Sequence, residues 1–166
     1  MKKLFLMAAL LVAAVGVSAQ SPEEIQQSQE RIEKLTKLQA ECPKNCGLQA
    51  VDQLMSEAGN SASEALQISP LVQKFQKRVE EKDTDAAMVA ELTELGIRIS
   101  NQVKTVQKVG ELVAPASQEI AKIKNPLKLK APTQVMKYSK EVLQITVEET
   151  AFQAMAVEKM LEQLKN

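Results

Sequence analysis

Between Met88 and Val113 the chain places Met88, Leu92, Leu95, Ile99, Gln102, Val106, Val109 and Val113 alternately four and three residues apart, without a slip. A helix turns every 3.6 residues, so this spacing puts all of them on one stripe, whereas a strand buries alternate residues. Seven of the eight positions are apolar, which is the heptad form of helices that pack lengthwise against other helices. The exception, Gln102, has two readings. It is a polar seam residue that fixes register, or it sits at the margin while Val103 turns inward. We take the second, because helices of globular proteins carry a wider apolar face than a coiled-coil seam.

The remaining segments read as helix too. Ser21-Pro22-Glu23-Glu24 is a helix start, with a cap residue, a proline in the first turn and acids facing the dipole. The helix behind it carries Ile25, Ile32, Leu35 and Leu38, a thin stripe suited to the edge of a bundle. Cys42-Pro43 breaks it, and Pro43 is placed to open the next helix, whose face is Leu48, Val51, Met55 and Ala58. Gly59-Asn60 reads as a stop, and Ser61-Ala62-Ser63-Glu64 as a capping box for a new start. Ala65, Ile68, Val72, Phe75 and Val79 follow at helical spacing, with a kink or fresh cap expected at Ser69-Pro70. Asp83 or Thr84 is expected to cap the Met88 helix, and Pro115 to kink or end it. Residues 117–124 continue for two turns up to Asn125-Pro126. Leu127-Lys128-Leu129-Lys130 alternates with period two but is too short and isolated for a sheet. Ala131-Pro132-Thr133 opens a last helix, which runs almost to Asn166 and reaches about 50 Å at the usual rise per residue. The expected fold is all-α: an antiparallel bundle of four to five helices, some long and coiled-coil-like.

Residues 1–19 have a different character. Lys2 and Lys3 precede an uncharged apolar run of 14 residues, Leu4 to Val17, and Val17-Ser18-Ala19 offers the small residues a signal peptidase reads. The run is shorter than the roughly 20 residues of a spanning helix. The expectation is a secretory signal peptide cleaved after Ala19, leaving 20–166 as a single helical-bundle domain in the periplasm or outside the cell. The double-lysine start and short apolar run point to a bacterial source. Cleavage leaves 19 basic against 21 acidic residues, with Phe75, Tyr138 and Phe152 as the only aromatics. Such a chain lacks the basic excess of a nucleic-acid binder.

The chain contains no His. That removes Ser-His and Cys-His catalytic pairs, His-ligated metals and a histidine pH switch. It also removes a ferritin-like di-iron site, which requires Glu-x-x-His. No phosphate loop, dinucleotide fingerprint or nucleophile elbow occurs. The expectation is therefore no enzyme, no cofactor and no metal.

Three local features remain. Cys42-Pro-Lys-Asn-Cys46 joins two cysteines at a helix junction, and in an oxidising compartment such a pair reads as a structural disulfide. Free or intermolecular thiols are the alternative, and a redox or metal role lacks C-x-x-C spacing and further ligands. Second, no acid lies between Glu119 and Glu141, while Lys122, Lys124, Lys128, Lys130, Lys137 and Lys140 do. This basic segment spans a helix–helix turn. It reads as a contact for an anionic surface, or as a solvated loop that keeps the protein soluble. Third, the acid pairs Glu23-Glu24, Glu80-Glu81 and Glu148-Glu149 point in divergent directions on a helix, so they read as capping and solubility.

The functional expectation is an exported, non-enzymatic helical binding or scaffold protein of the bacterial envelope. The alternative is a periplasmic holdase-like chaperone, using a cavity bearing Met55, Met88, Met136, Met155 and Met160, or a lipid or anionic-surface binder using the basic 122–140 segment. A protein partner or self-association is expected, with anionic lipid or polysaccharide as further partners and no nucleic acid.

Overall fold

The computed structural model describes residues 20–165, and every described element is helical. The expected signal peptide lies outside the described residues. Five α-helices follow one another: α1 (Pro22–Ala40), α2 (Gln49–Glu80), α3 (Ala86–Glu111), α4 (Val113–Ala121) and α5 (Lys130–Gln163), with a 3₁₀ turn at Pro126–Lys128.

Helix ends show where local signals were sufficient. At α1 the capping box forms in both directions. The Glu24 amide donates to Ser21 Oγ at 3.2 Å, and the Ser21 amide donates to Glu24 Oε2 at 2.8 Å. α3 is capped one or two residues later than expected, by Asp85, whose Oδ1 accepts from the Met88 amide at 2.7 Å. Pro115 ends α3 by a definite route: it has no N–H for the carbonyl of Glu111, the last residue of that helix.

α2 corrects three expectations. It does not begin at Pro43 but at Gln49, after a loop turned by Gly47 at φ +82°. It does not stop at Gly59-Asn60, and Ser61 to Glu64 do not start a new helix. One helix runs on through Pro70 to Glu80. Packing outweighs the cost of about 1 kcal/mol for a mid-helix glycine. Val51, Leu54, Ala58, Ala62, Ala65 and Ile68 are all fully buried, and a helix broken at residue 59 could not keep them in one row.

The helices share one axis but not one direction. Ser69 of α2 reaches Glu149 of α5, Leu48 lies beside Ala131, and Phe75 joins Ala156 and Met160, so α2 and α5 run parallel. α1 and α3 run against them: Lys34 pairs with Glu141 and Ser28 with Glu149, while Gly96 approaches Val157 and Met88 packs with Met160. α4 and the 3₁₀ turn return the chain to the end from which α2 also starts, which is what makes the α2–α5 pair parallel rather than antiparallel.

The apolar core is in two parts. One cluster gathers Leu35, Val51, Leu54, Ala62, Val106, Val109, Val135 and Val142. The other gathers Ile68, Val72, Phe75, Met88, Leu92, Ile99 and Val157. Between them lies a group of buried polar residues: Ser61 and Ser69 of α2, Gln102 of α3, and Thr146, Glu149 and Gln153 of α5. Gln102 is 4% exposed and donates through Nε2 to the Ser61 carbonyl at 2.6 Å, while Val103 is only partly buried. The marginal reading of Gln102 is thus overturned. Its amide finds a backbone partner inside the seam, which removes most of the penalty of burying it.

Candidate functional site

Two places hold chemistry: the buried polar layer and the end of the molecule where α2 and α5 begin.

In the layer, Glu149 is fully buried. Its Oε1 accepts from Ser28 Oγ at 2.8 Å, from Ser69 Oγ at 2.9 Å and from Gln153 Nε2 at 3.3 Å. Its Oε2 accepts from Arg31 Nε at 3.0 Å. Arg31 also lies over the Phe152 ring, 5.5 Å from the centroid. Gln153 Nε2 donates further to the Ala65 carbonyl at 2.8 Å. The reading of Glu148-Glu149 as capping and solubility therefore fails for Glu149. A buried carboxylate is tolerated only when paired and hydrogen-bonded, and here four side chains from α1, α2 and α5 supply that. The result is a knot that docks α1. α1 fully buries one large apolar side chain, Leu35, worth about 1.5–3 kcal/mol. Ser28 and Arg31 fix its register on the other two helices. The signal was present in the sequence. Val135, Ser139, Val142, Thr146, Glu149, Gln153, Ala156 and Met160 alternate by four and three along α5, and all eight are buried. Half are polar, so a search for apolar periodicity passes over them.

At the other place, the two features singled out in the sequence come together. The end of the Cys42–Cys46 loop with Leu48, the segment after α4, the 3₁₀ turn and the first turn of α5 surround a cleft of about 440 Å³. Its lining is Cys46, Leu48, Ile123, Leu127, Ala131 and Pro132, with Lys128, Lys130 and Gln134 among them. The local framework is tightly held. Asp52 Oδ1 and Oδ2 accept from the amides of Cys46 and Gly47 at 2.8 and 2.9 Å. Glu119 Oε2 accepts from the Ala50 amide at 2.7 Å, capping the start of α2 from α4. Asn125 Oδ1 accepts from the Leu127 amide at 3.0 Å, setting the 3₁₀ turn.

The expected disulfide is not formed: Cys42 and Cys46 are free thiols. The reason is that each is held by a different part of the fold. Asp52 pins the Cys46 backbone to α2, whereas Cys42, at the end of α1, lies beside Tyr138 of α5. Burial and the nearby Asp52 carboxylate push the Cys46 thiol up, away from thiolate reactivity. Burial and the adjacent Cys42 push the Tyr138 phenol well above its ordinary range.

Of the six lysines, Lys128 and Lys130 line the cleft, and Lys122, Lys124, Lys137 and Lys140 are exposed around that end of the molecule. None of the six makes an ion pair among the described residues. Lys137 does help Lys34 hold the Glu141 carboxyl below its ordinary value, the Lys34 hydrogen bond being the larger cause. Leu127 stands 88% exposed between Lys124 and Lys128. No other large apolar side chain of the described residues is as exposed. The described methionines do not form a cavity: Met55, Met88, Met136 and Met160 fill the core, and among them only Met155 reaches the surface, at 40% exposure.

No described helix is long and apolar enough to cross a membrane. No family model, curated protein or solved structure matches the chain.

Proposed function

We propose that this is an exported, non-enzymatic helical-bundle protein of the bacterial envelope that binds an anionic surface with the end formed by the 122–130 segment and the Cys42–Cys46 loop. The observation that carries the reading is Leu127, 88% exposed at the tip of a turn and flanked by Lys124, Lys128 and Lys130. An exposed leucine on a turn costs solubility and adds little burial to the fold. Set among lysines that have no acidic partner, it suits the boundary between anionic headgroups and acyl chains. The four-three seams along α3 and α5 support the finer architectural reading, a long bundle with coiled-coil-like packing that holds this end rigid. A scaffold role with a protein partner draws its support from the α3 surface, where Ile97 is 59% exposed one helical period from Thr93 and two from Val89.

Co-sedimentation with vesicles of phosphatidylglycerol and phosphatidylcholine, against phosphatidylcholine alone, tests the reading. Binding should require phosphatidylglycerol and weaken as salt rises. Replacing Lys124, Lys128 and Lys130 by Glu should remove at least about 1 kcal/mol per lysine, roughly a hundredfold or more in affinity. Equal binding to both vesicle types, or none to either, would sink it.

A further inference from the structure

The cleft beside Leu127 is more than a gap between the basic residues. Its volume of about 440 Å³ falls within the range of small-ligand sites. Its walls are largely apolar, from Leu48 just before α2, Ile123 behind α4, Leu127 of the turn and Pro132 of α5. Its cations are Lys128 and Lys130. The acids nearest to it in the sequence are already engaged: Asp52 with the Cys46 and Gly47 amides, and Glu119 with the Ala50 amide. The cleft presents an apolar bed beside two lysines that form no ion pair among the described residues, with a single amide, Gln134, among the lining groups.

We infer that this cleft takes one acyl chain of an anionic amphiphile, with the carboxylate or phosphate head held by Lys128 and Lys130. The inference rests on the surface-binding reading and deepens it: the protein does not only rest on an anionic surface but accepts a single lipid chain from it. Charge complementarity selects the head, and the apolar lining selects the tail. A short anion such as free phosphate satisfies the lysines but leaves the bed wet. A neutral amphiphile fills the bed but leaves the lysines unused.

The cleft carries its own reporter, because Cys46 is in its wall and is free. The test uses the full chain with Cys42→Ser, so that Cys46 is the one thiol left. Oleate below its aggregation concentration should bind saturably, one per protein, and slow alkylation of Cys46 by a maleimide. Oleyl alcohol should bind at least about tenfold more weakly, the loss expected when two surface lysines have no charge to meet, and inorganic phosphate at least about tenfold more weakly because it buries no apolar surface. Lys128→Glu with Lys130→Glu should weaken oleate by a similar factor and leave oleyl alcohol unchanged. Ala131 is exposed at the cleft, so Ala131→Trp can fill it without disturbing the core. This variant should lose oleate while still binding phosphatidylglycerol vesicles. If wild type binds those vesicles but not oleate, or if Ala131→Trp binds oleate as well as wild type with Cys46 unprotected, the acyl-chain inference is overturned and the surface reading stands. If neither oleate nor vesicles bind, both fall.

Discussion

Glu149, midway along α5, and Lys128, in the turn just before it, are treated in opposite ways. Glu149 is fully buried and receives hydrogen bonds from Ser28, Arg31, Ser69 and Gln153. Lys128 is exposed at a cleft and has no ion-pair partner among the described residues. Both carry charge, but the first has every strong interaction supplied from within, so nothing is left over for a ligand. The second keeps its charge available, next to an apolar bed and an exposed leucine. A charged residue whose partners are all internal belongs to the fold, and one left open beside apolar surface is where binding is to be sought.

That contrast can be broken most forcefully at Glu149. Glu149→Ala leaves Arg31 and three further donors without their acceptor and should cost about 3–5 kcal/mol, read as a lower midpoint in urea unfolding. Vesicle binding by the molecules that remain folded should be unchanged. The reverse pattern holds for charge reversal at Lys124, Lys128 and Lys130, where stability should move by no more than about 0.5 kcal/mol. A stabilising effect of Glu149→Ala would mean that the knot does not dock α1.

Gln102 offers a smaller perturbation of the same polar layer. Gln102→Ala strips the Ser61 carbonyl of its side-chain donor and opens space in the α2–α3 seam, for an expected loss of about 1–3 kcal/mol by the same unfolding measurement. Gln102→Leu restores the volume and should recover part of it. A loss below about 0.5 kcal/mol for the alanine variant would return Gln102 to the margin of the helix.

At the binding end the finest probe is Tyr138, the only tyrosine in the chain. Its phenol is raised above the ordinary value of about 10 by burial and by Cys42 beside it. A raised folded value means that the stabilisation is fully present below the unfolded phenol's titration and is lost as pH climbs from there through the folded one. Phenolate absorbance should therefore appear well above pH 10 in the native protein and near 10 in urea. A native midpoint near 10 would place Tyr138 in open solvent, away from Cys42.

The sequence made different parts of this arrangement legible for different reasons. The α3 seam was readable because apolar residues mark every position from Met88 to Val109 but Gln102, and the capping box at Ser21 because its partners lie within four residues. Gly59-Asn60 misled because a stop signal is local, whereas the force that carries α2 past it comes from α1, α3 and α5. Glu149 was hidden by its neighbour: Glu148 and Glu149 look alike in sequence, and only the four-three rhythm of α5 separates the one turned inward. For the candidate site, the lysines and the cysteines were each visible as clusters. Their meeting was not, because it depends on α2 and α5 running parallel, which brings residue 46 to residue 130.

The central claim is that the end carrying Leu127, and not the side of the bundle, meets the anionic surface. An environment-sensitive dye placed on Leu127→Cys, and separately on Ile97→Cys, in a chain with Cys42→Ser and Cys46→Ser, reads this directly. With phosphatidylglycerol vesicles, the dye at position 127 should shift to the blue and the dye at position 97 should stay as in water. A blue shift at 97 with none at 127 would contradict the account and move the binding surface to α3.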